Sequence, residues 1–430
     1  MYKSLDRVSE RRSLLSIGIL FFVFGFFTWL NSILIPYFRI ICEIGWFEAF
    51  LVTTAFYISY FLLAIPSAIL LEKTSLIKGI LLGLGLIVIG TLVFIPAALS
   101  RSFPIFLLGL FLQGAGLTLM QTASNLYVTL LGSIDSAAKR ISLMGIANKI
   151  AGALGGLILG GVLFGDTKPQ EIQNFLSQLG GSERINYLDQ LAHSIISPYL
   201  IISILLIALM FIFYAMKPVE TRAKTQKHKY SFKGIPKHSW LGFVAIFLYV
   251  GAEVIAGDSS VAYAQSTNLQ PLLLCIGNFC IDFSTPHYFT SYVMTGMIIG
   301  YLLGIILIPK YISQEKMLKI FSIIGIIITI AILLLPTHLS VYTVPLLGFA
   351  HSIMWPCIWP IALRNADEKA EMVSALLIMG IIGGAILGPF FGWLCDKIDM
   401  QYAYSILIVS YLYLIFYSRV GERVRQSETN

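Results

Sequence analysis

Apolar blocks of about twenty residues, separated by short polar stretches, recur along the whole sequence. They fall near 14–38, 47–71, 77–98, 103–131, 141–164, 194–216, 240–264, 288–309, 317–336, 341–363, 372–394 and 400–418. Each is long enough to cross ~30 Å of hydrocarbon as a helix rising ~1.5 Å per residue. Lipid offers the backbone no hydrogen bonds, so each block must satisfy its own peptide groups and is expected to be helical. The pattern therefore predicts an all-α membrane protein with twelve transmembrane helices, called spans 1 to 12 below. The leading MYKSLDRVSERR is polar and runs straight into a full-length span, so no cleavable leader is expected.

Composition agrees with this. Hydrophobic residues make up 57% of the 430 positions and charged residues only 12%, about half the ~25% usual in soluble domains. The net charge of +7 is sorted by loop. Of 29 Lys and Arg, 23 fall on the side that carries both termini, 5 on the other, and Lys149 alone lies within a span. Positive residues accumulate on the cytoplasmic side of a membrane, so the charge reads as orientation with both termini cytoplasmic, and not as a nucleic-acid surface. The lipid bilayer is the expected partner, and no nucleic acid is expected.

Three connections are long. Residues 165–193 are polar, lie outside, and can form a short amphipathic helix. Residues 217–239 are basic, lie inside, and divide the spans six and six. The expected division is thus an N-terminal bundle over 1–216, a cytoplasmic linker over 217–239 and a C-terminal bundle over 240–430. Residues 265–287 lie outside and carry Cys275 and Cys280. A disulfide between them and a pair of free thiols are both compatible with that spacing.

The two halves repeat weakly. GAGLTLMQTASNLY (114–127) aligns with GFAHSIMWPCIWPI (348–361), and SLMGIANK (142–149) with LIMGIIGG (377–384). Spans 5 and 11 each carry glycines four apart: Gly152, Gly156 and Gly160, and Gly380, Gly384 and Gly388. Such stripes let helix backbones approach closely where lipid supplies no hydrophobic drive to associate. Two pseudo-symmetric six-helix bundles follow, with span n related to span n+6.

The segments FGFFTWLNSILIP (24–36), GLTLMQTASNLYVTLLG (116–132), LYVGAEVIAGD (248–258), SIMWPCIWPIAL (352–363) and SALLIMGIIGGAILGP (374–389) carry a family resemblance. Together, and in this order, they resemble the fucose–proton symporters among the major facilitators, and within these the bacterial glucose/galactose transporters. The resemblance covers nearly the whole chain. It implies a sugar carrier of the bacterial inner membrane that works by alternating access as a monomer, with spans 1, 4, 7 and 10 lining the cavity. It implies no catalysis and no cofactor beyond a coupling ion, H⁺ or Na⁺. The sequence departs from the fucose carriers at telling places. Ser32 stands where their first helix has the Asp of L-N-D. Gln121 stands where their fourth helix has Glu, as in the glucose/galactose branch. In the fifth helix Gly145 replaces a usual Gln while the following Asn is kept as Asn148. Both carboxylates credited with proton coupling are thus missing, which leaves the ion open.

A sugar presents an apolar ring face and a rim of hydroxyls, so its site needs neutral donors and acceptors with aromatic surface in a concave pocket. The candidates are Asn31 and Ser32 on span 1, Gln121 and Asn125 on one face of span 4, Asn148 on span 5, and Trp355 and Trp359 four apart on span 10. Each amide can equally be a hydrogen bond between helices, worth ~0.6 kcal/mol. Each tryptophan can equally be packing or an interfacial belt. Charges at membrane depth are costly and usually functional. Three stand out: Glu253 and Asp258 on span 7 and Lys149 on span 5. Lys149 can alternatively snorkel to the inner surface, and Asp258 can alternatively sit near the outer water. Aligning Gly25 with Gly251 sets Ser32 opposite Asp258, so the carboxylate absent from span 1 has a stand-in on span 7. Glu253, Asp258 or both are expected to bind the coupling cation, with Lys149 as counter-charge. The competing reading is a drug or metabolite exporter on the same plan, since fold does not fix function. The wealth of amides favours a polyol. No metal cluster, nucleophile elbow or phosphate loop points to an enzyme.

Overall fold

The computed structural model describes residues 7–130, 137–164, 169–216, 233–267, 269, 271–276, 279–308, 310–366 and 369–429. Twelve of its helices are long and apolar enough to cross a membrane. They are Ile17–Ile41, Trp46–Leu71, Ile77–Leu99, Phe103–Thr122, Met144–Phe164 and Gly181–Ala215 for spans 1 to 6. Spans 7 to 12 are Lys237–Ser266, Pro286–Leu307, Gln314–Leu334, Thr337–Leu363, Ala375–Lys397 and Met400–Val424. Each overlaps a predicted block. Span 1 runs three residues further than hydropathy suggested, because Arg39 stays in the helix with its guanidinium over the Trp46 ring, 4.2 Å from the centroid.

Two sides can be distinguished. The basic face carries the connections after spans 2, 4, 6, 8 and 10; the far face carries the others. On the far face the 165–193 segment contains two helices, Pro169–Gln178 and Gly181–His193, where a single short one was expected. The second leads into span 6 and is tied down. Arg101 pairs with Asp189 at 3.0 Å, Arg184 donates to Glu43, and the Tyr37 hydroxyl donates to the Leu191 carbonyl at 2.6 Å. A two-stranded antiparallel hairpin, Leu273–Ile276 with Phe279–Asp282, is the one β element among the described residues. Cys275 is disulfide-bonded, and the register sets Cys280 directly opposite it.

Three spans break in hydrogen-bond register part-way along, with the backbone staying in the right-handed helical region. Span 1 breaks at Leu30, between Arg7–Trp29 and Asn31–Ile41. Span 10 breaks between Thr337–His351 and Met354–Leu363, and span 11 between Ala370–Met379 and Ile382–Lys397. Serines sit at two of the breaks. Ser32 Oγ donates to the Trp29 carbonyl at 2.8 Å, and Ser352 Oγ to the Phe349 carbonyl at 2.7 Å. Such hydroxyls recover carbonyls that a broken helix would leave unpaired in lipid.

Close packing between the first six spans and the last six accounts for two glycines of each stripe, while Gly152 packs on Trp29 of span 1 and Gly380 on Ile246 of span 7 within their own halves. A Cβ at Gly156 or Gly160 of span 5 would press on Thr290 or His287 of span 8. One at Gly384 or Gly388 of span 11 would press on Tyr57 or Thr53 of span 2. The two seams are equivalent under the repeat. Hydrogen bonds stitch them: Ser291 Oγ donates to the Ala153 carbonyl at 2.7 Å, and Thr54 Oγ1 to the Ala385 carbonyl at 2.5 Å. At the far rim the Asp396 carboxylate of span 11 accepts from the Trp46 and Phe47 amides at 3.1 and 2.9 Å. It caps the N-terminus of span 2, where no local side chain does so. A negative charge there also opposes the positive end of the helix dipole. The far rim is therefore latched shut by groups from opposite halves.

Candidate functional site

Span 7 organises the interior. Tyr249, Glu253 and Gly257 recur every four residues and share one face of a continuous helix. Each meets a different neighbour. Tyr249 lies beside Trp355 of span 10, with ring centroids 6.3 Å apart. Glu253 Oε1 accepts from Lys149 Nζ of span 5 at 2.9 Å. Gly257 leaves room for the Trp29 ring of span 1, which a Cβ there would overlap.

The Lys149–Glu253 pair joins the two halves at membrane depth. Its side chains are 8% and 13% exposed, so it is largely withdrawn from water. Lys149 does not snorkel to the basic face. Its ammonium also lies 4.4 Å from the centre of the Trp29 ring. A cation over an indole gains ~2 kcal/mol or more when both are desolvated. Trp29 is wedged between Gly152 of span 5 and Gly257 of span 7, against Met294 and Met297 of span 8. A first-half side chain is thus inserted into the second half. The hydroxyls of Tyr249 and Tyr301 lie within electrostatic reach of Glu253.

Asp258 is placed differently. It is fully buried, and neither carboxylate oxygen has a hydrogen-bond partner. It lies eight residues before the far-face end of span 7 at Ser266 and is withdrawn from solvent by the protein itself. Glu253 and the Tyr57 hydroxyl of span 2 lie within electrostatic reach of it. Tyr57 packs on Gly384 beside Val254, four residues before Asp258 on the same face of span 7. Its hydroxyl is also unpartnered.

The amide candidates separate too. Asn31, just after the break in span 1, is fully buried with both side-chain atoms unpartnered. Ser32 is fully buried and spends its hydrogen on the Trp29 carbonyl. Gln121 and Asn148 are half-buried; the Asn148 backbone abuts Gly25 of span 1. The side chain of Asn125 lies outside the described residues. Trp355 and Trp359 are half-buried and stacked on each other, centroids 5.3 Å apart and planes 27° from parallel. Among the described residues no group of three or more His, Cys, Asp or Glu can hold a metal ion. Tyr57, Tyr249 and Tyr301 were not legible as site residues. Their signal, a polar-tipped aromatic inside a span, is shared by many packing tyrosines. A separate cavity of about 230 Å³ lies at the far rim, beyond the Asp396 latch, between Arg39, Trp46, Gln173 and Gln265.

The chain is similar to known carriers. The glucose/galactose transporter of Brucella abortus biovar 1 is 29% identical over 414 residues, spanning 96% of this chain and 94% of that protein. The L-fucose-proton symporter of Escherichia coli is 29% identical over 385 residues, spanning 88% of this chain and 85% of that protein. The crystal structure of the fucose transporter FucP in its outward conformation superposes with a TM-score of 0.72 at 25% identity, covering 96% of this chain and 99% of that one. The twelve-span fold is common to both, and the pattern describing one large family of such folds matches residues 17–386: the chain belongs to the Major Facilitator Superfamily.

Proposed function

We propose that the protein imports a hexose, glucose or galactose class, across a bacterial inner membrane by alternating access. Charge asymmetry supports placing the basic face in the cytoplasm, so the latched far rim faces outward and the described conformation has its outer gate closed. The observation that carries the substrate class is the stacked, half-buried pair Trp355 and Trp359 on span 10; the half-buried Gln121 and Asn148 on spans 4 and 5 supply neutral amides. Stacked indoles offer an apolar platform for a sugar ring, and amides offer both donors and acceptors to its hydroxyls. The relatives named as glucose/galactose transporters support the same reading. Uptake into proteoliposomes of labelled glucose, galactose, mannose and fucose tests it. Saturable uptake of at least one of them, competed by the others in a defined order, is expected. Failure to transport any of the four would end the proposal.

Two results follow. Trp355→Ala and Trp359→Ala remove ring-face contact while leaving the charged groups in place. Each is expected to raise the sugar KM about tenfold, a loss of ~1.4 kcal/mol in sugar binding, with the protein still folded. An unchanged KM in both variants removes the tryptophans from the site.

Asp396→Ala removes the cap on span 2. A lost N-cap costs ~1 kcal/mol, equivalent to about a fivefold shift in a two-state equilibrium. The outward-open population should rise by that factor. Maleimide labelling of Ser291→Cys, in a background lacking Cys42, Cys357 and Cys395, would report it as faster modification from outside. An unaltered labelling rate would mean that the capped rim does not move.

A further inference from the structure

We infer that Asp258, with Asn31 and the Tyr57 hydroxyl, forms a monovalent-cation site across the two halves, and that Glu253 takes no part in it. The inference rests on the transport reading above only for its link to sugar. Both oxygens of Asp258, both side-chain atoms of Asn31 and the Tyr57 hydroxyl are buried without a partner. An unpaired carboxylate at this depth costs several kcal/mol, and a site that keeps one binds something that neutralises it. Oxygens from a carboxylate, an amide and a phenol suit a hard cation or a proton.

Proximity comes from the packing. The second segment of span 1, which begins at Asn31, packs along span 7, and the Trp29 ring lies on Gly257, the residue before Asp258. Tyr57 reaches the same face of span 7 from span 2. The other ionisable groups facing span 7 are engaged elsewhere. Glu253 is held by Lys149. Tyr404 of span 12 shares a hydrogen with Ser259 at 2.6 Å. His351 of span 10 meets Tyr411 at 2.7 Å. Tyr249 and Tyr301 cluster about Glu253. Asp258 is the carboxylate that remains. Because its partners come from spans 1 and 2, cation occupancy ties the halves together at mid-membrane.

The test uses the full-length chain in proteoliposomes. Accumulation of labelled hexose is driven by a proton gradient alone and by a sodium gradient alone, and hexose exchange is measured between equal pools. The parent should accumulate sugar under one of the two gradients, which identifies the ion. Asp258→Asn should lose that accumulation at least a hundredfold while still exchanging sugar at a reduced rate. Tyr57→Phe keeps the charge and should raise the half-saturating cation concentration three- to tenfold, so it reports on the site even if Asp258→Asn does not fold. The Lys149→Met, Glu253→Gln double variant should keep the rise in melting temperature that sodium or a fall in pH gives the parent. Accumulation by Asp258→Asn, an unchanged cation dependence in Tyr57→Phe, or a parent that exchanges hexose yet is indifferent to both gradients overturns the site. A sugar-independent readout separates this from failure of the hexose reading. Sodium, or a fall in pH, should raise the melting temperature of the parent and not that of Asp258→Asn. That difference in a protein that moves no hexose would retain the cation site and reject the substrate.

Discussion

Glu253→Gln alone is expected to abolish transport, whereas Glu253→Gln combined with Lys149→Met should recover a folded carrier that again exchanges sugar. The asymmetry follows from burial. Removing one partner of a withdrawn ion pair leaves the other charge in the membrane interior, at a cost of about 3–5 kcal/mol. Replacing both by neutral groups of similar shape is often nearly neutral. Here the surviving charge after Glu253→Gln is the Lys149 ammonium, 4.4 Å from the centre of the Trp29 ring. The indole offsets part of the loss, so Lys149→Met, which strands the carboxylate among Tyr249 and Tyr301, should be the harsher of the two single changes. A loss of 3–5 kcal/mol corresponds to a fall on the order of 3–6 °C in melting temperature, taking soluble domains as a guide. Thermal unfolding in detergent and equal-pool exchange, measured together on the two single variants and the double variant, decide the matter. Equal defects in all three would show that the charges act separately and that the bridge carries no coupling between the halves.

The sequence displayed the membrane architecture because lipid enforces it residue by residue. Every apolar block had to become a helix, and the loop charges had to sort. The glycine stripes of spans 5 and 11 were also visible, though not the partners they serve: Gly156 and Gly160 meet span 8, and Gly384 and Gly388 meet span 2. The three intramembrane charges announced themselves by their cost. Lys149 was expected as the counter-charge, but which carboxylate it meets was not legible, because Lys149 and Glu253 lie 104 positions apart and no periodicity links them. The sequence left Glu253, Asp258 or both as the cation-binding group. The fold separates them, one paired and one unpartnered, since five residues of helix turn them to different neighbours. The break at Leu30 was hidden as well, because Trp29-Leu30-Asn31 is apolar enough to continue a helix. Tyr57 was invisible for a related reason: only the third dimension brings span 2 beside Asp258.

The position of Trp29 yields the second large effect. Gly257→Ala is expected to reduce transport a hundredfold or more, although it adds a single methyl group to a buried helix. That methyl would fall within the six-membered part of the indole, so the ring must move. Overfilling a packed site typically costs 1–3 kcal/mol, but here the ring is confined on the opposite side by Gly152 and cannot retreat without displacing span 5. Lys149, which lies over the same ring, would be carried away from Glu253. Gly152→Ala should therefore produce the same defect from the other side. A control lies on the same span as Gly152: no atom approaches within 4 Å of a Cβ at Gly161. Gly161→Ala should leave transport intact and stabilise the helix by up to about 1 kcal/mol. Trp29→Phe in the Gly257→Ala background shortens the ring and should recover part of the activity. Initial uptake rates and melting temperatures across these variants separate a steric wedge from general helix damage. If Gly257→Ala transported like the parent while Gly161→Ala did not, the seam around Trp29 would not be where the two halves are held in register.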